Sequence, residues 1–177
     1  RRVSNANVRP ARCYRAISSE VFETDLYFKA DKAERFYGMG QYLIDCLNLK
    51  GTSLELAQKN TQCSVPFLLS SKGYGFIWNN PSVGRVELAT NHTRWHSDGT
   101  RQIDYIIFSG DTPEEIVEKY SEISGRPPEF PEWATGLWQS KLRYMTQEEL
   151  LNVAREYHKR NLPLSVIVCD YFHWTKQ

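Results

Sequence analysis

The stretch LPLSVIVCDYFHW, Leu162 to Trp174, decides how the rest of the chain is read. Pro163 cannot continue a preceding helix, an apolar run follows from Val166 to Cys169, and Asp170 stands where that run ends. An unbroken apolar run of this length is what a strand covered on both faces looks like. Working backwards, Thr146 to Arg160 carries Leu150, Leu151, Ala154 and Tyr157 at helical spacing, behind a capping box, Thr146-Gln147-Glu148-Glu149. Before it lies ATGLWQS, Ala134 to Ser140, a second short run of strand type. Strand, helix and strand in that order predict two parallel neighbours joined by a crossover helix.

In parallel sheets, ligands are met at the carboxyl ends of the strands, and Asp170 is at that end. Two readings compete: Asp170 caps the following turn through nearby backbone amides, or it accepts hydrogen bonds from a ligand. The aromatic run Tyr171, Phe172, His173, Trp174 favours the ligand, because rings for C–H faces beside a carboxylate for hydroxyls are what a sugar needs. On this reading Trp138, Lys141 and Tyr144 fall at or just past the carboxyl end of the first strand and line the same mouth, although an isolated Trp is more readily core. His173 reads as a hydrogen-bonded wall residue. Glycosidic chemistry needs a pair of carboxylates, and a single Asp does not supply both roles.

Upstream the texture changes. GRPPEFPEW, Gly125 to Trp133, is a stiff extended connector, and before it Asp111 or Thr112 caps a helix with Pro113, Glu114 and Glu115 in its first turn and Ile116, Val117, Tyr120 and Ile123 on its apolar face. From Arg12 to Phe108 the chain reads as strands and turns: VFETDLYFKA, SVPFLLSSKGYGFIWNNP as a hairpin about Gly73 and Gly75, and RQIDYIIF, with LELAQKN read as a short helix or a loop. Gly38 and Gly40 read as turn residues, not a phosphate loop, since no helix follows them. The organisation expected is therefore a β-sandwich over residues 1–110, a helix and Pro-rich connector over 111–130, and the parallel β-α-β unit over 131–177.

Composition narrows the partners. The 177 residues carry 22 Lys and Arg against 21 Asp and Glu, so neither nucleic acid nor an anionic membrane surface is expected, and the ligand is expected to be neutral. No apolar stretch reaches the ~18 residues of a membrane span. Cys13, Cys46, Cys63 and Cys169 have no CxxC pairing or His at ligand spacing, so no metal site is expected. Asn91-His92-Thr93 fits the glycosylation triplet, which arises often by chance. The compartment is left open, with the cytoplasm slightly favoured.

Four motifs in order, ERFYGMGQ (Glu34 to Gln41), SVPFLLSSKGYGFIWNNP (Ser64 to Pro81), PPEFPEWATGLWQSK (Pro127 to Lys141) and LPLSVIVCDYFHW (Leu162 to Trp174), resemble glycoside hydrolase family 31. LNLKGTSLELAQKNTQ and DYFHWTKQ are most similar to its α-xylosidase branch, with α-glucosidases as near relatives. The resemblance implies an N-terminal β-sandwich followed by a catalytic (β/α)8 barrel, of which residues 131–177 are the start. It implies retention of configuration through an aspartate nucleophile and a second aspartate as acid and base, without metal or organic cofactor. Asp170 matches the family's substrate-binding aspartate at the end of the second barrel strand. Tyr171 and Phe172 match the residues that shape the same sugar subsite, Trp174 its adjoining wall, and Lys50 to Gln62 the sandwich segment that leans over the barrel mouth.

No carboxylate between Asp111 and Gln177 matches the nucleophile or the acid/base, so the catalytic residues are expected beyond Gln177, and the chain is expected to be an inactive piece of a longer enzyme. That enzyme is expected to release terminal α-linked xylose from oligosaccharides, or terminal α-glucose on the alternative reading, with a homo-oligomer of the full-length parent left open. An alternative of another class is a non-catalytic carbohydrate-binding or structural β-module.

Overall fold

The structure, a computed structural model, describes residues 10–171 and 173. The chain divides into two compact units, residues 1–126 and 127–177. In the first, nine strands run in order: β1 (Arg12–Ala16), β2 (Phe22–Lys29), β3 (Phe36–Gln41), β4 (Ser53–Leu56), β5 (Cys63–Ser70), β6 (Tyr74–Trp78), β7 (Gly84–Leu88), β8 (His92–Thr100) and β9 (Tyr105–Ser109), followed by helix α1 (Pro113–Ser124). They form a five-stranded sheet, β1-β2-β8-β7-β4, and a four-stranded sheet, β3-β5-β6-β9, with every pairing antiparallel.

Alternation puts one face of most strands inward, β1 excepted. Leu26, Leu54, Leu56, Val86, Leu88 and Trp95 come from the larger sheet, and Phe36, Met39, Leu68, Phe76 and Trp78 from the smaller, into one buried cluster. Its centre is aromatic, with Phe76 stacked on Trp95 at 4.6 Å and Trp78 on Trp95 at 5.8 Å. Offset pairs of this kind add about 0.5–1.5 kcal/mol beyond the area they bury.

Two expectations are corrected in this unit. LELAQKN is neither helix nor plain loop: Leu54 to Leu56 belong to β4, paired with β7, and Lys59 bridges to Gln62. Leu54 and Leu56 are buried while Glu55 is exposed, a period-2 alternation too short to stand out from the polar residues after it. Gly38 and Gly40 do not make a turn but a bulge inside β3, where the register with β5 shifts. Gly38, Met39 and Gly40 all have positive φ (93°, 68° and 94°), and the distortion seats the fully buried Met39 in the core. A Cβ on Gly40 would lie 2.2 Å from the Cys63 carbonyl oxygen, which is why glycine stands there. RQIDYIIF also begins as a strand only at Tyr105.

On the other face of the larger sheet, Arg94 on β8 donates to Asp25 on β2 (2.7 Å) and to Glu87 on β7 (2.8 Å), and His96 Nδ1 lies 2.9 Å from Asp25. Partial burial opposes ionisation of Asp25, but the hydrogen bonds from Arg94 and His96 outweigh it and hold the carboxyl below its ordinary range. Thr112 caps α1, its Oγ1 accepting from the Glu115 amide. Ile116 is buried and Tyr120 stacks on Phe67 at 4.3 Å, while Val117 and Ile123 are about half exposed, so the apolar face is narrower than its sequence pattern.

The second unit holds a 3-10 turn (Glu132–Thr135), β10 (Trp138–Lys141), α2 (Gln147–Lys159) and β11 (Val166–Cys169). β10 and β11 pair in parallel, Trp138 opposite Val166 and Lys141 opposite Cys169. Thr146 caps α2 by accepting from the Glu149 amide at 3.1 Å, and Tyr157 donates to the Gln139 side chain beneath it. Among the described residues no helix is long and apolar enough to cross a membrane.

Candidate functional site

The site is built from the carboxyl ends of β10 and β11. Asp170 is the first residue after β11 and is exposed, and Tyr171 follows, itself 49% exposed. The chain is held there by its backbone, the Tyr171 amide donating to the carbonyl of Leu142 just past β10 (3.3 Å). The His173 ring donates from Nδ1 to the backbone oxygen of Asp170. Phe172 and Trp174 lie outside the described residues.

Register brings Lys141 level with Cys169, one residue before Asp170. Lys141 pairs with Glu149 on α2, its Nζ also lying 5.3 Å from the centre of the Tyr144 ring. Glu149 in addition accepts from the Met145 amide at 2.7 Å. The Lys141 hydrogen bond, and after it that of Met145, keeps the Glu149 carboxyl below its ordinary range. Glu149 was missed as a residue of this region. The signal was present in the capping box, whose third helical residue points back towards the segment before the helix. Tyr144, by contrast, is buried and serves as packing.

Trp138 is corrected. The strand does not begin at Ala134, which lies in the 3-10 turn, but at Trp138 itself, so this residue stands at the amino end of β10 opposite Val166. Three residues of strand, about 10 Å, separate it from the level of Lys141. It stacks with Trp133 at 6.1 Å and donates from Nε1 to the Ala134 carbonyl at 3.1 Å. The Pro-rich lead-in and Gly136 end the preceding turn later than the apolar letters suggest, and that shifts the strand towards Lys141.

The arrangement offers an exposed carboxylate, with a tyrosine next in the chain, at the exit of a parallel strand, suited to accepting hydroxyl hydrogens from a neutral ligand. Among the described residues no group of His, Cys, Asp and Glu is placed to hold a metal ion.

Residues 127–177 match the family model of the glycosyl hydrolases family 31 TIM-barrel domain. The chain is 54% identical over 156 residues to an uncharacterized family 31 glucosidase of Pseudescherichia vulneris, covering 88% of this chain and 30% of that protein. It is 36% identical over 164 residues to an α-xylosidase of Saccharolobus solfataricus, covering 88% of this chain and 22% of the relative. Among solved structures it is similar to a GH31 α-xylosidase from a soil metagenome complexed with xylose, at 50% identity and a TM-score of 0.86 over 97% of this chain and 25% of that one. The chain thus spans less than a third of the length of the relatives it matches. Its two antiparallel sheets with few helices match part of these enzymes, and the chain belongs to glycoside hydrolase family 31.

Proposed function

We propose that the chain is part of a retaining α-glycoside hydrolase that releases terminal α-linked xylose from oligosaccharides, and that Asp170 binds the sugar to be released. The observation that carries this reading is the position of Asp170, exposed at the carboxyl end of a parallel strand and braced through Tyr171 to the end of its neighbour. The identity to α-xylosidases over both units supports the substrate class. Residues 131–177 are taken as the start of a (β/α)8 barrel, a reading supported by the barrel-domain match over 127–177, with residues 1–110 as its N-terminal sandwich and 111–130 as the link. Asp170 accepts hydrogens from two sugar hydroxyls, Tyr171, Phe172 and Trp174 shape the wall, and Trp138 packs with Trp133 away from the sugar. The nucleophile and the acid/base lie beyond Gln177, a reading supported by relatives of which the matched stretch makes up only 30% and 22%.

α-Glucosidase is a second reading, favoured by the name of the Pseudescherichia vulneris relative. Room for one CH2OH group separates the two, worth about 1–3 kcal/mol in a pocket. Chromogenic α-xyloside and α-glucoside, given side by side to the 177-residue chain and to the longer protein that contains it, test the proposal. Turnover by the longer protein alone with xyloside preferred is expected. Turnover by the 177-residue chain at an enzymatic rate would overturn it, and a glucoside preference would select the second reading.

A further inference from the structure

A cavity of about 240 Å³ opens between the two sheets of the first unit, and its walls are mostly ring and hydrocarbon: Phe28, Phe36, Phe76 and Trp95, with Ile107 at the exposed edge of β9. Into these walls the fold sets a carboxylate. Glu34, just before β3, is 6% exposed, yet it is not spent on an ion pair that would explain its burial. Ser70 donates to it at 2.5 Å and Tyr74 at 2.7 Å, and both bonds land on the same oxygen, Oε1. Burial, and then the bond to Glu34, push the Tyr74 phenol up, so it remains a donor. Oε2 receives neither bond, and the hydroxyl-bearing Thr93, 6% exposed, lines the same cavity.

The neighbouring lysines are committed elsewhere. Lys72 pairs with Asp31 at 2.5 Å, and Lys50 donates to the Asp31 carbonyl at 2.8 Å while lying 4.6 Å from the centre of the Phe36 ring. With Lys29 also at the rim, an entering cation meets positive charge, whereas a neutral hydroxyl donor does not. A buried carboxylate with an uncommitted oxygen gains most from a donor delivered without water, and aromatic walls take up the apolar face of whatever carries it.

We propose that this cavity is a binding site for a neutral, hydroxyl-bearing ligand of pyranose size, with Glu34 Oε2 accepting a ligand hydroxyl and Thr93 engaging a second. The site belongs to the sandwich and does not depend on the role given to Asp170.

The test is a titration of the isotope-labelled protein with methyl α-xyloside and methyl α-glucoside, followed by NMR. Saturable shifts at Tyr74, Thr93 and the Trp95 indole are expected, unchanged in Asp170→Asn. They should weaken about tenfold in Glu34→Gln, which keeps the acceptor for Ser70 and Tyr74 and turns the second oxygen into a donor. Ile107→Trp, at a half-exposed position, closes the mouth without touching Glu34 and should abolish them even if Glu34→Gln proves unstable. Absence of shifts at these residues at ~100 mM sugar, far above a millimolar dissociation constant, would overturn the proposal. So would equal binding by Ile107→Trp, shifts confined to Asp170 and Tyr171, or shifts produced by an alkylammonium salt and not by either sugar.

Discussion

Asp25 shows how a single charge on the sheet surface becomes a pH-dependent contribution. Its folded-state carboxyl lies below the ordinary value of 3.8, since bonds from Arg94 and His96 outweigh the cost of burial. A depressed carboxylate adds stability above its unfolded value, and that stability is lost as pH falls through the folded value. In urea melts across pH, the native protein should therefore exceed Asp25→Asn by its full margin above about pH 5, and the margin should shrink steadily below about pH 4. A margin that stays constant down to acid pH would show that Asp25 acts through packing or neutral hydrogen bonds. Nothing in the letters around Asp25 announces this. Arg94 and Asp25 are neighbours only because β2 pairs with β8, and strand pairing across so many residues is not written in local periodicity.

At the scale of elements, the helices were legible and the irregular strands were not. Thr146 caps α2 as the sequence predicts, and of the two candidates for α1 it is Thr112, not Asp111, that caps; such signals are readable because a cap is a contact over three residues. Thr112→Ala should cost about 1 kcal/mol in chemical denaturation, and Ile116→Ala about 2–5 kcal/mol, since Ile116 is buried against Gly75 and Gly110. The parallel pair β10–β11 was legible for the same reason: two apolar runs with a helix between them admit few arrangements. The bulge in β3 was not, since Gly-Met-Gly is as good a turn as a distorted strand until β5 lies beside it. Gly40→Ala would force a side chain into both a positive φ and the Cys63 carbonyl. It should destabilise by about 2 kcal/mol or more, the scale of backbone strain with a clash added, measured by the same melts. The start of β10 was misread by four residues, and with it the end of the strand at which Trp138 stands.

At the scale of the molecule, the second unit leaves much apolar surface uncovered: Trp133, Trp138, Leu142 and Met145 are between 49% and 72% exposed. Patches of this kind belong to surfaces that other protein covers. The 177-residue chain should accordingly self-associate with rising concentration in sedimentation velocity, and a monodisperse monomer throughout would count against placing more barrel on this unit. The site itself was legible only as far as one strand exit. Asp170 and its aromatic neighbour could be read from the end of an apolar run and Glu149 from its capping box, whereas the brace from Tyr171 to Leu142 needed the register of β10 on β11. The measurement that bears most directly on the account is kcat/KM for a chromogenic α-xyloside in the longer protein, native against Asp170→Asn. Loss of a charged acceptor for two hydroxyls predicts a fall of about 100-fold or more, with the fold intact by melting. An Asp170→Asn protein that hydrolyses the xyloside as well as the native one would contradict the account.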